Sequence, residues 1–326
     1  KKVGNLYWSG VARMRYPASS LNDKKDAYDW RIRLNVKGQV NDATYVQGQF
    51  VNNMNFKDEA SSNTTMAQIY VNHNFNKNVA VRLGRQPIVF GNQGGWQYNG
   101  LEGYDGAQAS YNNGKLSLTT GFGQLNASDL EDETHKVGDK VVVDSYGVTG
   151  TDMYFAKGAY DFGFAKLGAD YVKFQGDTNS TDHYVAGQEL YGINLTIPVQ
   201  KFNVFGEYWK NTTTGDYEYD TAWNAGLSYG KADWKKAGTW DLSVAYNDVD
   251  AGAYFGGGTW HNDMLKNLNN SKYIEADNLT FWNVLANVTL QKNVQLHAEY
   301  AFAADAEGTN GVDPDDSWTV SLNYKF

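Results

Sequence analysis

The chain has 326 residues and a formal net charge of −9, with 10 Trp, 23 Tyr, 15 Phe, 34 Gly, 4 Pro and no Cys. The missing thiols exclude disulfide scaffolds, zinc-thiolate sites and iron–sulfur centres, and the acidic balance argues against a nucleic-acid partner. A mean hydropathy of −0.58, without a run of even ten apolar residues, excludes transmembrane helices, which need about 20. A closed β-barrel is the one membrane-spanning architecture left, because it needs only every second side chain to be apolar. No signal-peptide pattern opens the chain, so the expectation is that any targeting segment was removed upstream of residue 1.

Alternation of apolar and polar residues marks strands along the whole length. After a first strand at 4–16, the segment 27–37 sets Tyr28, Trp30, Ile32, Leu34 and Val36 on one face against Asp29, Arg31, Arg33, Asn35 and Lys37 on the other. Strands follow at 43–55, 65–75, 78–86, 104–112 and 115–124. The next four, at 151–160, 163–174, 185–197 and 202–211, are diluted by Ala and Gly, as is 220–229. The pattern sharpens again at 239–248, 278–290 and 293–303, and at 317–326 it is complete: Trp318, Val320, Leu322, Tyr324 and Phe326 against Ser317, Thr319, Ser321, Asn323 and Lys325. Aromatics recur at the ends of the apolar faces with aliphatics between them, as a lipid-facing band with interfacial girdles requires.

The connections sort by parity. Those after even-numbered strands are short (38–42, 76–77, 113–114, 161–162, 198–201, 291–292), with only 230–238 longer, and Asn113-Gly114 reads as a type I′ turn. Those after odd-numbered strands are long and polar: 17–26, 56–64, 87–103, 125–150, 175–184, 212–219, 249–277 and 304–316. The expected fold is therefore an all-β, sixteen-stranded antiparallel transmembrane barrel spanning 1–326. Its long loops lie outside, its short turns and both termini on the periplasmic side.

Function in such a barrel lies in the charges of its lumen. The chain has six arginines, Arg13, Arg15, Arg31, Arg33, Arg82 and Arg85, and none after residue 85. By parity Arg13, Arg15, Arg31, Arg33 and Arg82 face the polar side, and the group as a whole reads as a pore-lining basic patch, since guanidinium suits a fixed, always-charged donor. The alternative is that these arginines only pair with strand carboxylates such as Asp29. Inward aromatics are scattered, at Tyr7, Tyr45, Tyr70 and Phe281. Acidic loop groups, Asp129, Glu131, Asp132 and Glu133 in one and Asp313, Asp315 and Asp316 in another, have the chemistry to bind Ca²⁺, although a solvated acidic loop is the favoured reading. The five histidines (His73, His135, His183, His261, His297) contain no i, i+4 pair and are read as neither catalytic nor metal-binding; His261 with Asp263 comes nearest to a pair.

The terminal segment SWTVSLNYKF, ending in an aromatic, and VRLGRQPIVFG at 81–91 resemble the general, trimeric porins of Gram-negative bacteria. The Asn- and Tyr-rich flavour with Gly84-Arg85-Gln86 is also similar to the barrel portion of the S-layer-homology-tethered porins of diderm Firmicutes. The resemblance implies a bacterial outer-membrane location among lipid and lipopolysaccharide, a homotrimer, and a water-filled channel for passive diffusion of small hydrophilic solutes and ions, without enzymatic activity or a resident cofactor. It implies that Phe326 and Tyr324 are read by the barrel-assembly machinery. It also implies a third loop, 87–103, folded into the lumen to present Glu102 and Asp105 opposite the basic wall. Small outward residues, Gly10, Ala12 and Gly48 beside Met14 and Val46, permit close packing of neighbouring barrels, and the second loop, 56–64, offers a latch. A substrate-specific sugar porin is the alternative function, and a barrel enzyme a more distant one.

Overall fold

The computed structural model describes residues 2–17, 28–56, 62–92, 94–126, 133–137, 140–145, 151–175, 188–215, 218–256, 258–268, 276–308 and 312–326. Sixteen antiparallel strands form a closed barrel. They are β1 (Leu6–Tyr16), β2 (Tyr28–Gln39), β3 (Thr44–Phe56), β4 (Ser62–Asn74), β5 (Val79–Phe90), β6 (Tyr98–Asn112), β7 (Leu116–Leu125) and β8 (Asp152–Asp161). The second half comprises β9 (Lys166–Phe174), β10 (Glu189–Val199), β11 (Phe202–Asn211), β12 (Thr221–Gly230), β13 (Trp240–Asp250), β14 (Asn278–Gln291), β15 (Val294–Glu307) and β16 (Ser317–Lys325). Each strand pairs with its sequence neighbours, and β16 closes on β1 with Val320 opposite Tyr16 and Lys325 opposite Val11. Gly10 N–H donates to the Phe326 carbonyl at 2.8 Å and Phe326 N–H to that of Gly10 at 3.0 Å, so the seam is bonded to the last residue. Closure leaves the barrel without a free edge strand, which is the condition for a sheet to sit in hydrocarbon.

The expected apolar parity faces outward. Ile69, Leu83, Phe122, Tyr154, Ile193 and Leu227 are 50–57% exposed. In a soluble sandwich these side chains would form the core, so their exposure decides for an apolar outer surface. Rings girdle both rims: Tyr16 stacks near Tyr28 and Trp318 at the long-loop rim, and Phe202, Tyr229 and Trp240 form a second group at the short-turn rim. The turn at Asn113-Gly114 differs from the type I′ expectation, because only Gly114 of the pair has a positive φ (94°). Asn113 Oδ1 instead accepts the N–H groups of Lys115 and Leu116, closing an Asx-type turn. The fourth long connection carries a two-stranded hairpin, Glu133–Val137 with Lys140–Ser145, that the alternation does not mark.

Two long connections turn inward, the third (87–103) and the seventh (249–277). Pro87 has no N–H to give the ladder, and the β5–β6 register jumps there from Gln86–Tyr104 to Ile88–Gly100. The extra residues bulge at Gly103, whose φ is 46° and where a Cβ would stand 2.0 Å from the Gln86 carbonyl oxygen. This offset takes the ends of β5 and β6 off the wall and into the lumen. Gly103→Ala should therefore destroy the entry to the hairpin, with left-handed strain of about 1–2 kcal/mol added to the clash. Gly48→Ala, where a Cβ meets nothing within 4 Å, is the control. The two are compared by the heat-modifiable mobility of the refolded barrel, which the first should lose and the second keep.

Candidate constriction site

Three inward-facing wall carboxylates hold the two loops by their backbone amides. Asp170 of β9 accepts the Gly91 N–H at 2.8 Å, and Glu207 of β11 accepts the Asn92 N–H at 2.6 Å and the Trp209 indole N–H at 2.9 Å. On the other side Glu299 of β15 accepts the N–H groups of His261 and Asn262 at 2.7 and 3.0 Å. Lys157 of β8 donates to the Val89 carbonyl, completing the third-loop anchor. Hydrogen bonds to buried carboxyl oxygens are each worth about 1 kcal/mol or more, and several together offset the entropy of ordering a loop tip.

The loops then bind one another. Gln97 donates from Nε2 to the Ala253 carbonyl at 2.7 Å and accepts the Phe255 N–H at 3.1 Å, while Thr259 N–H donates to the Gly95 carbonyl at 3.0 Å. Trp96 donates its indole N–H to Asn247 of β13 at 3.1 Å. Between them lies an apolar mass rather than a ring of charges. Phe90 packs edge-on against Phe155, Trp209 and Phe255 at 5.7–6.5 Å between centroids, and Trp96, Tyr98 and Phe174 are fully buried with them. This mass sits against the inner faces of strands β7 to β14.

The opposite inner wall is basic. Arg13 of β1 stands directly opposite Arg31 of β2, with Arg33 opposite Val11 one inward pair along and Arg15 opposite Asp29. Asp29 bridges Arg13 at 2.8 Å and Arg15 at 3.0 Å. The pairing alternative thus accounts for two of the four guanidinium groups; Arg31 and Arg33 form no salt bridge with a described carboxylate and stay in excess. Further round, Arg82 lies over the Tyr70 ring at 4.5 Å, and Tyr70 meets Tyr45 edge-on at 6.4 Å. The seventh loop reaches this wall through His261, whose Nε2 lies 3.3 Å from Arg13 Nη1. Burial, and then the positive Arg13, Arg15 and Arg31, hold the His261 imidazole well below its usual pKa, so it is neutral near pH 7.

No protein-family model matches the chain, and no curated protein matches it in sequence. Solved structures do. A triple mutant of the Rhodopseudomonas blastica porin superposes with a TM-score of 0.56 at 11% identity, covering 98% of this chain and 100% of that one. The high-pH structure of Pseudomonas putida OprB gives 0.57 at 11% identity, covering 98% and 93%. The fold is that of a porin. At such identities the likeness concerns the fold alone, and the residues of this porin-type barrel have to be placed by its own geometry.

That geometry corrects two expected site residues. Arg85 and Asp105 share the outward parity of Leu83 and Ala107, in register with Ile69 on one side and Gln124 on the other. They form a two-pronged ion pair, both contacts 2.8 Å, with Asn126 donating to the same carboxylate. Arg85 is therefore not pore-lining and Asp105 does not face the basic wall. Grouping Arg85 with the inward arginines goes against the parity it shares with Leu83, and the expectation of Asp105 in the lumen rests on the resemblance alone. Glu102 precedes Gly103 and lies within electrostatic range of both Arg33 and Arg85. Phe326 packs its ring over Gly10, where a Cβ would meet it at 2.3 Å, so Gly10 is covered by the chain's own terminus and is not a free packing surface. Tyr324 stands between Ala12 and Val294.

Residues 57–61 of the second loop and the acidic Asp129, Glu131 and Asp132 fall outside the described residues, while Phe56 and 62–64 extend β3 and β4, and Glu133 is described by its backbone only. In the eighth loop Asp313 accepts the Ala306 N–H and Asp316 the Tyr300 hydroxyl, so both serve the loop's own structure. The groups that sequence reasoning missed are Asp170, Glu207 and Glu299. Their signal was available: single acids on the inward parity of their strands, two of which, those of Asp170 and Glu207, otherwise read as weak.

Proposed function

We propose that the chain is an outer-membrane porin, a passive channel for small hydrophilic solutes and ions with a preference for anions. The observation that carries this reading is the division of the lumen. Its β7–β14 side is filled by the joined third and seventh loops, and what remains is bordered by the basic wall of β1 and β2, where the inward side chains of β2 keep partial exposure and Arg13 is buried. A solute passing the narrowest section meets guanidinium groups on one side and the surface of the joined loops on the other. Excess positive charge in a confined, low-dielectric surround favours anions and disfavours cations at the entry step. The test is swelling of proteoliposomes in isotonic solutes of increasing size. Rates should fall steeply with solute radius, and a small organic anion should enter faster than a cation of equal size. Size-independent or absent swelling would overturn the reading.

The sugar-specific alternative needs a continuous run of lumen rings. Among the described residues Tyr45 and Tyr70 form a pair, while Phe281 is buried against Trp260 within the apolar mass, so the rings do not form a path. The same proposal carries the homotrimer, with outward Gly48 open to close approach, and the contact with lipopolysaccharide and assembly machinery through the Phe326 strand.

A further inference from the structure

The fold brings together three side chains that sequence reading left apart. His297 and Glu299 project from the inner face of β15, and His261 descends on them from the seventh loop, their ligating atoms all within 4.8 Å of one another. His297 Nε2 lies 2.8 Å from Glu299 Oε1, and His261 Nδ1 lies 3.6 Å from the same oxygen. Donors bound to one tetrahedral ion at about 2.0–2.1 Å stand roughly 3.3 Å apart, and these separations bracket that value.

A second observation concerns which atoms carry protons. Asn287 donates its amide N–H to Asp241 at 2.7 Å, which turns its Oδ1 toward His297 Nδ1 at 2.8 Å. With Nδ1 engaged there, the Nε2 of His297 faces a carboxylate oxygen at 2.8 Å, a contact that either a proton or a metal ion satisfies. A histidine held by its far nitrogen through an amide and a carboxylate is the supporting arrangement that metal-binding histidines have. His261 Nδ1 in turn is buried without a hydrogen-bond partner.

We propose that His261, His297 and Glu299 bind a divalent transition-metal ion of the Zn²⁺, Ni²⁺ or Cu²⁺ class, clamping the seventh loop to the wall. Two imidazoles and one carboxylate select these ions over Mg²⁺ and Ca²⁺, which prefer all-oxygen sets. Glu299 is almost wholly buried, whereas His261 and His297 keep 33% and 18% of their side-chain surface, so the remaining coordination position opens to lumen water. Arg13 opposes the ion, and its opposition is bounded: it is held by Asp29 at 2.8 Å, and its 3.3 Å contact to His261 Nε2 is the bond that gives way. Affinity is correspondingly modest.

The test is titration of the full chain in detergent with Co²⁺, whose visible absorption reports nitrogen-containing coordination. The expected result is one saturable ion per chain, displaced by Zn²⁺ and not by an excess of Mg²⁺. His297→Ala and His261→Ala should each weaken binding at least tenfold, with heat-modifiable mobility showing that both barrels remain folded. The loop variant His261→Ala leaves every strand residue in place and keeps the test valid if His297→Ala misfolds. Absence of saturable Co²⁺ binding, or binding unchanged in His261→Ala, would mean that a proton alone bridges His297 and Glu299, and overturns the site. A narrowed passage on Zn²⁺ addition rests on the channel reading; the spectrum does not. A protein that binds Co²⁺ and never conducts would refute the channel and leave the site standing.

Discussion

Arg31→Ala combined with Arg33→Ala is expected to move the zero-current potential in a salt gradient from anion to cation preference. Both groups belong to the four-arginine patch in which Arg13 and Arg15 share Asp29, so removing them leaves two guanidinium groups against one carboxylate and takes away most of the excess charge. A unit charge acting on an ion ~9 Å away at an effective dielectric of about 20 contributes about 2 kcal/mol, and 1.4 kcal/mol is a tenfold ratio. Screening by lumen water and salt reduces this, so a severalfold change in permeability ratio is the expected size. The shift should shrink near 1 M salt, where the Debye length is about 3 Å. Asp105→Asn provides the contrast. Its carboxylate is bound to Arg85 on the outer face, and its removal should leave the zero-current potential where it was.

Asp170→Asn combined with Glu207→Gln should release the third loop and raise single-channel conductance. These carboxylates take the Gly91 and Asn92 amides. The amide side chains keep an acceptor oxygen, so the anchoring lost is the difference between charged and neutral acceptors, about 2–3 kcal/mol for the pair. Against this stands the apolar contact of Phe90 with Phe155, Trp209 and Phe255, so the loop should open intermittently rather than leave the lumen. The expected recording shows larger and noisier steps, with proteolysis within 91–97 accelerated. Conductance identical to that of the unaltered chain would show that ring packing alone holds the loop.

Strand number, order and facing were legible because period-two alternation survives wherever one face meets lipid, as in β2 and β16. The strands from β8 to β12 were weak for a physical reason now visible: their inward positions carry Met153, Phe155, Val172, Phe174 and Trp209, which pack on the inward loops, so both faces are apolar and the alternation fades. The facing of the arginines was legible by parity, since Arg85 stands two residues from outward Leu83, and counting Arg85 among the pore-lining group went against that parity. The inward seventh loop was illegible, since its burial depends on partners as distant as Gln97 with Ala253 and Glu299 with His261. His297 and Glu299, two apart on one inward face, were a readable signal; the approach of His261 to them was not.

The most direct measurement is the current through a planar bilayer containing the purified full chain, in a tenfold KCl gradient. Discrete conductance steps with a zero-current potential on the chloride side are predicted, from a water-filled passage along the arginine wall. A folded barrel that stays silent, or one that conducts with a zero-current potential on the potassium side, would contradict it.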